Sequence, residues 1–144
     1  MKIIDGLIHD TIGFTCSCFD LLHAGHIIML QYAKARCDRL IVGLQTDPTI
    51  DRPDTKHKPI QSLDERRIQL EAVKYVDEVI TYNTEKDLYE LLKKLNPDVR
   101  VLGSDYTDKS FTGDDLDIKI YYHDRNHNYS TTNLRKKIVS EHIH

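Results

Sequence analysis

The chain of 144 residues has no tryptophan, three phenylalanines and three cysteines. Cys16, Cys18 and Cys37 are few and odd in number, which argues against a disulfide framework and fits a reducing cytoplasm. No apolar run approaches the length that spans a bilayer. The opening residues Met1-Lys2-Ile3-Ile4-Asp5-Gly6 lack the long apolar core of a signal peptide, so a cytoplasmic location is expected. Internal repeats, low-complexity tracts and Gly/Ser linkers are also missing. One domain over residues 1–144 is therefore expected, with residues 1–10 as an N-terminal extension. Excess positive charge is lacking too. The net charge of −3 excludes a broad nucleic-acid or anionic-membrane surface, leaving room only for a local basic pocket.

What is present is ordinary in amount and informative in order. Hydrophobic content of 40% and charged content of 30% describe a globular chain able to bury its own core. Thr11 to Ser17 reads as a buried strand and Ala24 to Arg36 as a helix. Arg39 to Leu44 is a continuous apolar run, the mark of a strand covered on both faces. Thr46 to Ile60 holds three prolines and many charges, and loops of this length are commonly functional or disordered. Ser62 and Glu65 form a capping box that opens a helix to about Lys74. Strands follow at Asp77–Tyr82, Val99–Leu102 and Asp117–Tyr122. Helices run over Thr84–Leu95, stopped by Asn96-Pro97, and from a Ser130 or Thr131 cap to about Ser140. Alternating strands and helices imply an α/β fold, a doubly wound parallel sheet with ligands beyond the carboxyl ends of its strands.

Cys18-Phe19-Asp20-Leu21-Leu22-His23-Ala24-Gly25-His26 falls at that edge, between the first strand and the first helix. A helix start offers unpaired N–H groups and the positive end of a dipole. A spacing of three sets His23 and His26 on one helix face, and Gly25 has no Cβ to keep an anion from the main chain. The pattern suits an enzyme that holds a polyphosphate and stabilises charge on it. The competing readings are a structural pair or metal ligands. No Glu-x-x-His or His-Glu-x-x-His accompanies them to complete a zinc set.

The same nine residues resemble the HxGH signature of the nucleotidyltransferase superfamily, in its small cytidylyltransferase-like branch. Three further elements agree in order: Ser62-Leu63-Asp64-Glu65-Arg66-Arg67, Leu102-Gly103-Ser104-Asp105-Tyr106, and Arg125-Asn126-His127-Asn128-Tyr129-Ser130-Thr131-Thr132. The last is similar to an RTEGISTT signature whose central Thr-Glu-Gly-Ile is replaced here. Ser17-Cys18 stands where Gly-Thr is usual. Lys74 stands where glycerol-phosphate members carry an arginine, keeping charge but losing the planar fork.

The resemblance implies a Rossmann-like nucleotidyltransferase fold, Mg²⁺ with CTP as cofactor and substrate, and a homodimer. A nucleoside triphosphate brings about four negative charges and the attacking phosphate nearly two more, so cations must offset them. On this reading His23, His26, Arg125 and Lys58 are catalytic. Nucleotide contacts fall to Cys18, Phe19, Gly25, Asp105, Ser130 and Thr131 as well. Lys56, Lys58, Arg66 and Lys74 bind the acceptor phosphate. Arg66 as a solvated helix charge, Asp105 as an Asx turn, and the loop lysines as ordinary surface groups are the plainer alternatives. Both histidines should face the cleft, so alanine at either should leave stability unchanged.

The expected reaction joins CTP and glycerol 3-phosphate to give CDP-glycerol and pyrophosphate. Its main rival is adenylyl or cytidylyl transfer to a heptose phosphate, which the HxGH segment and Gly103-Ser104-Asp105-Tyr106 also resemble. Phosphocholine or phosphoethanolamine comes third, since a quaternary ammonium wants an aromatic cage and only tyrosines are plentiful. A nucleotide-sensing or metal-binding module is the reading outside catalysis.

Overall fold

A computed structural model describes residues 2–4, 7–124 and 129–142. Five parallel strands form the central sheet: β3 (Ile12–Ser17), β4 (Arg39–Gln45), β5 (Glu78–Tyr82), β6 (Val99–Gly103) and β7 (Lys119–His123), in the order β5-β4-β3-β6-β7. Ahead of them β1 (Lys2–Ile4) and β2 (Leu7–His9) pair antiparallel with each other, not with the sheet. The α-helices are α1 (Ala24–Lys34), α2 (Leu63–Glu71), α3 (Glu85–Leu95) and α4 (Thr131–His142). After β3 the chain first builds outward through β4 and β5, then returns to the other side of β3 for β6 and β7. That reversal at β3 opens a crevice beyond its carboxyl end.

Both sheet faces are covered. On one, Leu40, Val42, Leu44 and Val101 pack against Leu30 and Ala33 of α1 and Leu70 of α2. On the other, Phe14, Ile41 and Tyr82 meet Leu88 and Leu92 of α3. Two-sided burial explains the unbroken apolar run of β4, buried at every position after Arg39. Gly43 in that run is forced by packing, because a Cβ there would lie 2.9 Å from both Cys16 Cβ and Phe14 Cζ.

The amino ends of the strands are tied down by carboxylates. Asp38 Oδ2 accepts from the Thr11 N–H and Asp98 Oδ2 from the Ile12 N–H, both at 2.8 Å. Asp77 Oδ2 accepts from the Leu40 N–H at 2.7 Å and pairs with Lys34 at 2.6 Å. One sheet edge is thus closed by satisfied polar groups and the opposite edge is left for a ligand.

The expected elements are all present, with shifted ends. The helix that opens at Ser62 stops at Glu71 rather than about Lys74, with Ala72 as C-cap, so Lys74 lies beyond it in the turn to β5. The last strand runs Lys119–His123, two residues later at its start than the pattern suggests.

Candidate active site

At the carboxyl edge of β3 the main chain bends sharply. Phe19 and Leu21 hold positive φ values of 49° and 52°, unusual for residues with a Cβ, and they flank Asp20. The strain is held by Asp20, only 4% exposed. Its carboxylate accepts from the N–H groups of Ile60 (2.9 Å) and Gln61 (3.0 Å) and pairs with Arg135 Nη2 of α4 at 2.5 Å. Its carbonyl accepts from the Thr131 hydroxyl at 3.0 Å. Two segments distant in sequence, residues 60–61 and α4, converge on one aspartate. Burial raises its pKa, but the two N–H bonds and Arg135 outweigh that, holding the carboxyl below the usual range.

The bend delivers His23 as N-cap of α1. Its Nδ1 accepts from the Gly25 N–H at 3.0 Å, and His26 Nδ1 accepts from the His23 N–H at 3.2 Å. This is a capping box built from two imidazoles. The rings stack with centroids 3.9 Å apart, and Phe19 braces His26 at 5.3 Å. Because both Nδ1 atoms accept, each neutral ring carries its proton on Nε2. In that tautomer Nε2–H is a donor, the kind of group that steadies charge on a phosphoryl oxygen. The Gly25 N–H is spent on the cap, so the glycine contributes a buried helix start rather than a free donor.

A cleft of about 890 Å³ opens over these histidines. Of the residues singled out in the sequence, Cys18, Phe19, His23, Gly25, His26, Ser130, Thr131 and Lys56 line it. Ser130 Oγ accepts from the Asn133 N–H at 3.0 Å and so caps α4. Arg125 lies outside the described residues. Lys58 and Lys74 are exposed and do not line the cleft; Lys74 rests on the Tyr75 ring, 5.2 Å from its centre. Asp105 is exposed on a single 3₁₀ turn (Ser104–Tyr106), while Gly103 and Tyr106 on either side reach the cleft wall.

Arg66 is placed differently from its expected acceptor role. It is 2% exposed, and its fork donates to the carbonyls of Gln61 (3.2 Å), Cys18 (3.0 Å), Gln45 (2.6 Å) and Thr46 (2.6 Å). With its donors spent on the chain, it ties the ends of β3 and β4 to α2. Cys18 lies against it at 3.5 Å, and burial pushes that thiol up.

Sequence reasoning missed Asp20, Arg135, Lys136, Arg100 and Glu85, all of which line the cleft. Arg135 had a signal: it lies one helical turn beyond Thr131, on the same face. Arg100 had none, being an arginine inside a strand.

Residues 14–137 match the cytidylyltransferase-like family. The chain belongs to that family. Among its relatives are bifunctional proteins HldE from Caulobacter vibrioides (41% identical over 133 residues), Hyphomonas neptunium (45% over 105) and Wolinella succinogenes (45% over 105). The matches cover 90%, 73% and 73% of this chain but only 27%, 21% and 22% of the relatives. Among solved structures, a lipopolysaccharide core biosynthesis protein from Thermoplasma volcanium superposes with a TM-score of 0.59 at 23% identity, over 92% of this chain and 88% of that one. A pantoate-beta-alanine ligase from Francisella tularensis also reaches 0.59, at 20% identity over 91% and 67%. At such identities the structures share the fold.

Family membership raises the question of Mg²⁺. Among the described residues no group of three or more His, Cys, Asp or Glu side chains could hold a metal ion. The carboxylates that line the cleft have partners as well: Asp20 pairs with Arg135, Glu85 with Arg52 at 3.1 Å, and Asp51 accepts from the Glu85 N–H at 2.6 Å. Among the described residues there is no ready-made cage for a divalent cation.

Proposed function

We propose that this protein is a nucleotidyltransferase that joins a nucleoside monophosphate to a sugar phosphate and releases pyrophosphate. Adenylyl transfer to a heptose phosphate is the reading we favour. The observation that carries the chemistry is the pair of imidazoles locked at the start of α1, each with Nδ1 tied as an acceptor. The likeness to HldE proteins favours the sugar phosphate over glycerol 3-phosphate.

In the proposed reaction an acceptor phosphate oxygen attacks the α-phosphorus in line. The bond from that phosphorus to the bridging oxygen breaks, and pyrophosphate departs with the electron pair. The phosphate is already ionised near neutral pH, so no general base is needed. His23 and His26 donate from Nε2 to the α-phosphoryl oxygens as charge shifts toward the leaving group. Lys56, Arg135 and Lys136 surround the polyphosphate with positive charge, and the start of α4 adds its dipole. A proton on either Nδ1 would present a donor where the helix start needs an acceptor, so the transfer reading uses Nε2 as the donor of each ring.

CTP with glycerol 3-phosphate stands as the second reading, favoured by the cytidylyltransferase-like match. Pyrophosphate release with ATP, CTP, GTP and UTP, each against heptose phosphate, glycerol 3-phosphate and phosphocholine, decides between them. ATP with heptose phosphate should give the highest kcat/KM. A preference for glycerol 3-phosphate with CTP would replace our reading, and phosphocholine would refute both. We also propose a homodimer, which sedimentation of the full chain tests.

A further inference from the structure

The α3 side of the cleft holds a charged group that the transfer chemistry does not use. Arg100 sits in β6 in register with Phe14 and is 2% exposed. It lies with Phe14 and Cys16 on the sheet face that α3 covers, and it borders the cleft. A guanidinium has five N–H donors. Here Nη1 donates to the Thr112 carbonyl, Nη2 makes a 3.9 Å contact with Cys16 Sγ, and buried Nε has no hydrogen-bond partner. Arg100 makes no ion pair among the described residues. A buried guanidinium met by one oxygen is under-satisfied, and such groups call for an explanation.

Glu85, the first residue of α3, supplies the opposite polarity. Its Oε1 pairs with Arg52 Nη2 at 3.1 Å, and its Oε2 accepts from the Thr112 hydroxyl at 2.8 Å. Thr112 is the joint, giving its carbonyl to Arg100 and its hydroxyl to Glu85. Gly113, at φ 88°, follows it, and a Cβ there would lie 3.2 Å from Arg100 Nη1 and 2.7 Å from Leu92 Cδ1. The backbone conformation and the missing side chain leave the guanidinium its space.

A donor fork and a carboxylate bordering one compartment complement hydroxyl groups, each of which both donates and accepts. The guanidinium disfavours a cationic head, and the carboxylate disfavours a second anionic group. We propose that Arg100 and Glu85 read the hydroxyl groups of the acceptor, at the end of its body away from the reacting phosphate. This rests on the sugar-phosphate reading above and assigns the residues that select within that class.

Calorimetric titration of the full chain tests the idea without needing turnover. The probes are a heptose phosphate, its analogue lacking one hydroxyl, and inorganic phosphate, with ATP titrated separately. Arg100→Met and Glu85→Gln should each weaken heptose phosphate by about tenfold or more, the scale of a lost charged hydrogen bond. Affinities for inorganic phosphate and ATP should be unchanged, and the wild type should prefer the full sugar to its deoxy analogue. Glu85 is half-exposed at a helix start, so Glu85→Gln keeps the test alive if Arg100→Met fails to fold. Unchanged sugar affinity, or equal weakening of inorganic phosphate, overturns the proposal while the transfer reading stands. Selective sugar binding without pyrophosphate release from any nucleotide would sink the transfer reading and leave this one supported. No sugar-phosphate binding by the wild type defeats both.

Discussion

At His23 one imidazole has two tasks in the proposed reaction: Nδ1 caps α1 from a residue that lines the cleft, and Nε2 serves as the donor to the phosphoryl group. Alanine at either histidine should lower turnover by about two to three orders of magnitude, as loss of one transition-state donor does elsewhere. The two variants should differ in stability, contrary to the expectation from sequence. His23→Ala removes an N-cap and should cost about 1 kcal/mol. His23→Asn should recover that stability, since asparagine caps well, without recovering turnover. Denaturant midpoints beside kcat values check both; equal stability of His23→Ala and wild type would remove the capping role. Asp20 makes a second prediction at this scale. Its carboxyl is held below the usual range, so the folded state binds its proton less readily than the unfolded chain does. Its contribution is fully present above the ordinary carboxylate pKa of about 3.9 and is lost as pH falls through the lower folded value. Asp20→Asn should therefore melt well below wild type at neutral pH, with the gap closing in acid. A gap that persisted unchanged at pH 2 would show that the charge of Asp20 is not what matters.

Among elements, α2 shows why a motif residue need not touch a ligand. Its capping box is readable from Ser62 and Glu65, and the structure has both reciprocal bonds. The next residue, Arg66, turns inward and gathers the ends of β3 and β4 through four carbonyls. Lysine there keeps the charge but cannot reach several carbonyls at once. Arg66→Lys should lower stability by about 3 kcal/mol, the loss of one or two charged hydrogen bonds with buried carbonyls left unpaired. Chemical denaturation measures it. A stability change below about 0.5 kcal/mol, the range of surface substitutions, would return Arg66 to the role of a solvent-side or ligand-binding group.

For the molecule as a whole, the cleft is walled by segments far apart in sequence, with α4 held to the β3–α1 bend through Asp20, so a ligand that touches several of them should brace the native state. A nucleotide at 100 times its Kd adds about 2.7 kcal/mol to stability. For a chain near 150 residues that corresponds to a rise in Tm of roughly 5–11 °C. The preferred nucleotide should give the larger shift, and the same shift should be much reduced in Arg135→Ala, which loosens α4 and removes a cleft cation together. Thermal melts with ATP and CTP decide; no shift with any nucleotide would count against a nucleotide site in this cleft.

What the sequence determined by itself was local or periodic. The cap at Ser62, the stop at Asn96-Pro97 and the apolar run of β4 are written in neighbouring residues, because helix ends and two-sided burial need particular side chains at short range. The His23/His26 pair was legible for the same reason, three positions apart on one turn. The tertiary structure decided which cations face the ligand. Lys58, Lys74 and Arg66 look alike in a sequence, yet two are exposed away from the cleft and one is buried among carbonyls. Arg100 and Arg135 carried no expectation and line the cleft. Asp20 became its knot only when Ile60, Gln61 and Arg135 were brought to it from 40 to 115 residues away. Long-range pairing of charge depends on where the chain crosses itself, and that crossing is set by the strand order around β3.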